Sequence, residues 1–114
     1  MATDFTIKRD DTLPAIQATL TDSSDPAVAV NLAGASVRFV MRDKATQTEK
    51  TDAVATIVTA ASGIVKYQWV AADTDTAGAY QAEWEVTFAG GAVETFPNYK
   101  HMNIKIFEDI GGAT

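Results

Sequence analysis

The stretch Thr76-Ala77-Gly78-Ala79-Tyr80-Gln81-Ala82-Glu83-Trp84-Glu85-Val86-Thr87-Phe88 decides how this chain folds. Tyr80, Ala82, Trp84, Val86 and Phe88 alternate with Gln81, Glu83, Glu85 and Thr87. A period of two sends one set to each face of a β-strand, whereas a helix would scatter both sets around its axis. One face is apolar and the other polar, the pattern of an antiparallel sheet packed on a core and wet on its far side.

The same alternation recurs outward in both directions. Phe5–Lys8 is a short candidate strand at the start. Ile16, Ala18 and Leu20, then Val37, Phe39 and Met41, then Ala53, Ala55 and Ile57, then Val65, Tyr67 and Trp69 each mark an apolar face. Ala92–Phe96 follows, and Met102, Ile104 and Ile106 complete the series. Turn-forming residues separate these runs: Asp22–Pro26 with Asn31–Gly34, Ala61–Gly63, Ala89–Gly91, and Pro97-Asn98. Arg42–Asp52 reads as a polar connection, and Val70–Ala77 as room for one short turn capped by Asp73 or Thr74. The result is an all-β chain, an antiparallel β-sandwich of about seven to eight strands. With 114 residues it is expected to form a single domain over 1–114. Residues 1–11 are a candidate N-terminal arm and 108–114 a loose tail.

The spacing Gly78-x-Tyr80 narrows the sandwich to the immunoglobulin-like type. Such domains carry a tyrosine near the start of this strand, its hydroxyl bonding back to the preceding loop and pinning the corner between sheets. Ala82 stands where antibody domains have a disulfide cysteine, but this chain has no cysteine. Packing must replace the bridge, and Trp69 and Trp84 are the candidates to supply it; Phe39, Gly78 and Tyr80 are further fold-defining residues. Each indole can bury on the order of 200 Å².

Nine Lys and Arg against fifteen Asp and Glu give a net charge of −6. The basic residues are scattered, so the counterion release that drives nucleic-acid binding has no patch to act from. The polar first residues do not form a signal peptide, and no apolar run reaches the ~20 residues of a membrane span. The expected product is soluble, made in the cytoplasm, with neither nucleic acid nor membrane as partner.

Chemistry finds little purchase in the sequence. His101 is the sole histidine, and no nucleophile elbow, P-loop or dinucleotide fingerprint accompanies it. Glu83 and Glu85 share the polar side of one strand and imitate an acid–base pair, yet exposed i, i+2 acids usually form a solvated face. Asp73 and Asp75, with Thr74 or Thr76, are weak calcium candidates, as are Asp22 and Asp25, because calcium takes oxygen ligands. The expectation is no cofactor, no metal and no catalytic residue, hence no enzyme. Thr95-Phe96-Pro97-Asn98-Tyr99-Lys100 sets two aromatics around a proline. Phe96 can close the core, or it can join Tyr99 and Phe5 in a partner contact, where aromatics are enriched.

Phe5-Thr6-Ile7-Lys8-Arg9-Asp10-Asp11-Thr12-Leu13-Pro14 and Leu32-Ala33-Gly34-Ala35-Ser36-Val37-Arg38-Phe39-Val40-Met41-Arg42 resemble the N-terminal domain of phage baseplate upper proteins. Gly63–Trp69, Asp73–Trp84 and Glu94–Pro97 continue the likeness. The resemblance implies an immunoglobulin-like structural component of a tailed-phage virion, an adaptor in the tail, baseplate or neck. Its partners would be other virion proteins and copies of itself in a symmetric assembly, and its location the virion. Two other readings are a capsid-surface decoration protein and a carbohydrate-binding host-adhesion module. The last needs an exposed aromatic platform, for which Tyr67 and Tyr99 are the candidates.

Overall fold

Alternating sequence becomes alternating burial along every long strand of the computed structural model, which describes residues 4–22, 28–98, 101–108 and 110. Nine strands form among these residues: β1 (Phe5–Lys8), β2 (Ile16–Thr19), β3 (Ser36–Asp43), β4 (Glu49–Val54), β5 (Thr56–Thr59), β6 (Ile64–Tyr67), β7 (Gly78–Thr87), β8 (Val93–Phe96) and β9 (Met102–Phe107). Single 3-10 turns occupy Ala60–Ser62 and Ala71–Asp73. The strands make two packed sheets, so the protein is an all-β sandwich. A broad sheet runs β1-β9-β7-β3-β4, with β8 also on β7, and a narrow sheet runs β2-β6-β5.

The count exceeds seven to eight because the run Ala53–Ile57 is two strands. β4 pairs with β3 in the broad sheet and β5 with β6 in the narrow one. Ala55, small and buried between them, donates its N–H to Val37 O (2.8 Å) as the chain crosses over. The polar connection expected over Arg42–Asp52 is correspondingly shorter. Asp43 Oδ1 accepts from the N–H groups of Ala45 and Thr46, Asp43 N–H donates to Thr48 O, and pairing resumes at Glu49.

The N-terminal segment is not an arm over most of its expected length. β1 pairs with β9 in register Phe5↔Ile104 to Lys8↔Phe107, and this pair is parallel whereas the other strand pairs among the described residues are antiparallel. Phe5 places its ring 5.6 Å from that of Trp69, so it packs on the core and does not stand out as an interface residue. Residues 1–3 lie outside the described residues. So does most of the expected tail, although Glu108 approaches Arg9 Nε at 3.3 Å.

Phe39 sits at the centre of the core with no exposed surface. Its ring stacks on Tyr67 of β6 (centroids 4.8 Å, planes 10° apart) and meets Trp69 edge-on at 5.4 Å. On its own sheet it meets Trp84 at 5.0 Å. Offset and edge-to-face pairs of this kind each contribute about 0.5–1.5 kcal/mol beyond the area they bury. The indole N–H groups of Trp69 and Trp84 are buried without a hydrogen-bond acceptor. Each orphaned donor costs about 1–3 kcal/mol, so these rings are held by packing alone.

Two glycines allow the chain to close around this core. Tyr80 Oη donates to the carbonyl of Thr76 (2.7 Å), and Gly78, between them, adopts φ +156°. At Gly63 φ is +67°, and a Cβ there would lie 2.7 Å from Leu20 O and 2.8 Å from Val30 O. Leu20 O accepts from the Val30 N–H (2.9 Å), so that carbonyl cannot retreat easily.

Trp84→Ala is expected to lower the unfolding free energy by about 3–5 kcal/mol, measured by urea denaturation. A loss below about 1 kcal/mol would mean that Trp84 does not fill the core.

Candidate functional site

Two polar groupings stand out, one inside the molecule and one on its surface. The inner one is built on Asp73, at the end of the 3-10 turn that links β6 to β7. Its carboxylate is almost wholly buried. Oδ1 accepts from Thr51 Oγ1 of β4 (2.8 Å), and Oδ2 accepts from Tyr67 Oη of β6 (2.6 Å) and from the Val70 N–H (2.9 Å). One side chain thus ties the broad sheet to the narrow one. Adjacent Thr74, fully buried, donates its hydroxyl to Asp11 O (2.8 Å), and its own carbonyl accepts from the Asp10 N–H. The turn after β1 is fastened to the same point.

This arrangement answers the calcium expectation. The Asp73 oxygens are occupied by protein donors, and Asp75 instead pairs with Lys50 and accepts from Thr76 Oγ1. The Lys50 bond holds the Asp75 carboxyl below the ordinary carboxylate range. Among the described residues no three His, Asp or Glu side chains gather as a metal cluster. Asp22 Oδ1 accepts from the Val28 N–H (3.0 Å) as a turn residue does, while Asp25 lies outside the described residues.

The outer grouping lies on the exposed face of the broad sheet. The registers Arg38↔Glu85, Val40↔Glu83 and Arg42↔Gln81 set β3 beside β7, with Asp52 of β4 opposite Val40. Because Phe39, Met41, Ala82 and Trp84 point inward, these residues point outward. Arg38 donates through Nε to Asp52 Oδ1 (2.7 Å), and Arg42 Nε donates to Gln81 Oε1 (3.1 Å). His101 Nδ1 lies 3.1 Å from Glu83 Oε2. Val40, Arg42, Gln81, Glu83 and His101 line a shallow cleft of about 120 Å³. A histidine held by a carboxylate is two parts of a hydrolytic triad, but among the described residues no serine, threonine or cysteine lines this cleft. Glu83 is engaged with His101, so Glu83 and Glu85 do not work as a facing pair.

The remaining sequence-predicted residues fall into the core or outside the described region. Phe96 is buried opposite Trp84 in the β7–β8 ladder and is no interface. Tyr67 is 5% and Trp69 1% exposed, so neither offers a platform for a sugar ring. Tyr99 lies outside the described residues. Sequence reading missed Val40, Arg42 and Gln81 as cleft residues and Thr51 as the partner of Asp73. Alternation marked their faces, but only strand register brings them together.

No protein-family model matches the chain, and no curated protein matches its sequence. Among solved structures it is similar to CopC from Methylosinus trichosporium OB3b, with a TM-score of 0.51 and 9% identity over 94% of this chain and 86% of that one. At that identity the likeness establishes a common β-sandwich fold and nothing about ligands. It also corrects the expected role. A place in a tailed-phage virion, as adaptor, capsid decoration or glycan-binding module, finds no support in this match, which leads to CopC and not to a phage tail. The physical reason is that the motifs behind that expectation were turns, strand alternation and a tyrosine corner, which sandwiches of unrelated function need equally.

Burial, reinforced by the hydrogen bond to Asp73 and its charge, raises the Tyr67 phenol well above its usual range. Burial also raises Tyr80. In the unfolded chain both ionise near pH 10. The unfolded state therefore loses protons first, and stability falls as pH rises above about 10. Tyr67→Phe is expected to make the fall shallower between about pH 10 and 12, followed by denaturant midpoints and tyrosinate absorbance. An unchanged slope would place Tyr67 in solvent.

Proposed function

We propose that the chain is a non-catalytic recognition domain that binds a protein through the outer face of its broad sheet. One observation carries the reading. That face is a patterned set of half-buried charged side chains around a shallow cleft, whereas the carboxylate inside the molecule is consumed in holding the sheets together. On the face, Glu85 has no ion pair or hydrogen bond among the described residues, and Arg42 meets only a neutral amide. Unneutralised charges on a sheet face give a protein contact its specificity and register. Among the described residues the outer face of the narrow sheet, with Gln17 and Thr19 on β2, Lys66 on β6 and Thr56 and Val58 on β5, carries a lone cation and no such array of opposite charges.

A photo-crosslinking residue at Ala79, exposed beside Lys105 on the broad face, tests this against the same residue at Thr19 on the narrow face. Crosslinks to protein are expected from position 79 and not from position 19. Equal yields from both, none from either, or a hydrolytic activity that Glu83→Gln abolishes would contradict the reading.

A further inference from the structure

We infer that the partner of the broad face is a second copy of this chain, docked about a two-fold axis that runs parallel to β3 and β7. The inference rests on the recognition reading above and adds the identity of the partner. Charge distribution is the first argument. The outward positions of β1, β9, β7, β3 and β4 include four cations, Lys8, Arg38, Arg42 and Lys105, and four carboxylates, Glu49, Asp52, Glu83 and Glu85. These cancel, so the excess negative charge behind the net −6 sits largely off this face. Two like-charged copies repel across most of their surfaces, and the balanced face is where they can approach.

Symmetry is the second argument. A two-fold contact sets the same patch against itself, so residue i meets j and j meets i. Face-to-face docking requires the axis to lie in the plane between the sheets. An axis perpendicular to the strands would set β3 over the partner's β3, arginine against arginine, and β7 over β7, glutamate against glutamate. An axis parallel to the strands and midway between β3 and β7 sets each β3 over the opposing β7. The intrachain register then becomes the interchain one: Arg38 of each copy faces Glu85 of the other, and Arg42 faces Gln81. Glu85, without a partner among the described residues of its own chain, gains a cation, and the Val40 clefts are covered at the centre.

Sedimentation equilibrium of the full chain, with circular dichroism to verify folding, tests the arrangement. The chain is expected to dimerise reversibly. Glu85→Arg and Arg38→Glu, each alone, put like charges in contact twice per dimer and should weaken association by about tenfold or more. An equimolar mixture of the two variants restores both opposite-charge contacts and should recover dimers as heterodimers. Thr19→Arg, on the other face, should leave association unchanged. A wild-type chain that is monomeric up to about 1 mM, where Kd corresponds to only about 4 kcal/mol, would overturn the inference. So would variants whose mixture associates no better than each alone. Should the chain be monomeric while position 79 still crosslinks a different protein, the self-association fails and the recognition reading stands.

Discussion

The enclosure of Phe39 is the constraint on which the rest of the sandwich depends. Its ring touches Tyr67 and Trp69 on one side of the core and Trp84 on the other, so it is the point where both sheets meet. A chain without cysteine cannot fasten its sheets covalently, and here aromatic contact does that work. The indole N–H groups buried without acceptors show the extent of the commitment, since packing must outweigh their desolvation. Asp73 then fixes the orientation that the rings alone leave free, with bonds to Thr51 on β4 and Tyr67 on β6. Tyr67 belongs to both systems, its ring stacked on Phe39 and its hydroxyl on Asp73.

That division of labour determines what is left for function. The inner carboxylate is fully used and the inner aromatics are sealed, so recognition falls to the outer surface. On the broad sheet, long side chains lie across their neighbours in fixed pairs, Arg38 on Asp52, Arg42 on Gln81 and His101 with Glu83. A pre-set array loses less conformational freedom on docking than free side chains would.

Much of the fold was legible in the sequence because side-chain alternation reports burial directly. The strand over Gly78–Thr87, its inward Tyr80 and Trp84, and the fold class itself follow from it. Alternation does not report which strands pair. Alternation therefore marks Ala53–Ile57 as one strand although the chain crosses between sheets at Ala55, and it marks Phe5–Lys8 as a strand without showing that it pairs in parallel with Met102–Phe107 and does not stand off as part of an arm. The candidate site suffered more. Glu83 and His101 are eighteen residues apart in sequence, and Thr51 and Asp73 are twenty-two apart. No local pattern brings either pair together. The expected function fails for a related reason: fold-making motifs do not mark one family's role, and the likeness to CopC rests on the fold alone.

The central claim is that the outer face of the broad sheet is the working surface. The side-chain NMR signals of that face test it without altering a residue. On raising the protein concentration, the Nε–H resonances of Arg38 and Arg42 and the side-chain amide of Gln81 should shift together along one binding curve. The side-chain amide of Gln17 on the narrow sheet should stay fixed. Shifts confined to Gln17, or none in either sheet even when the protein that crosslinks at position 79 is added, would contradict the account.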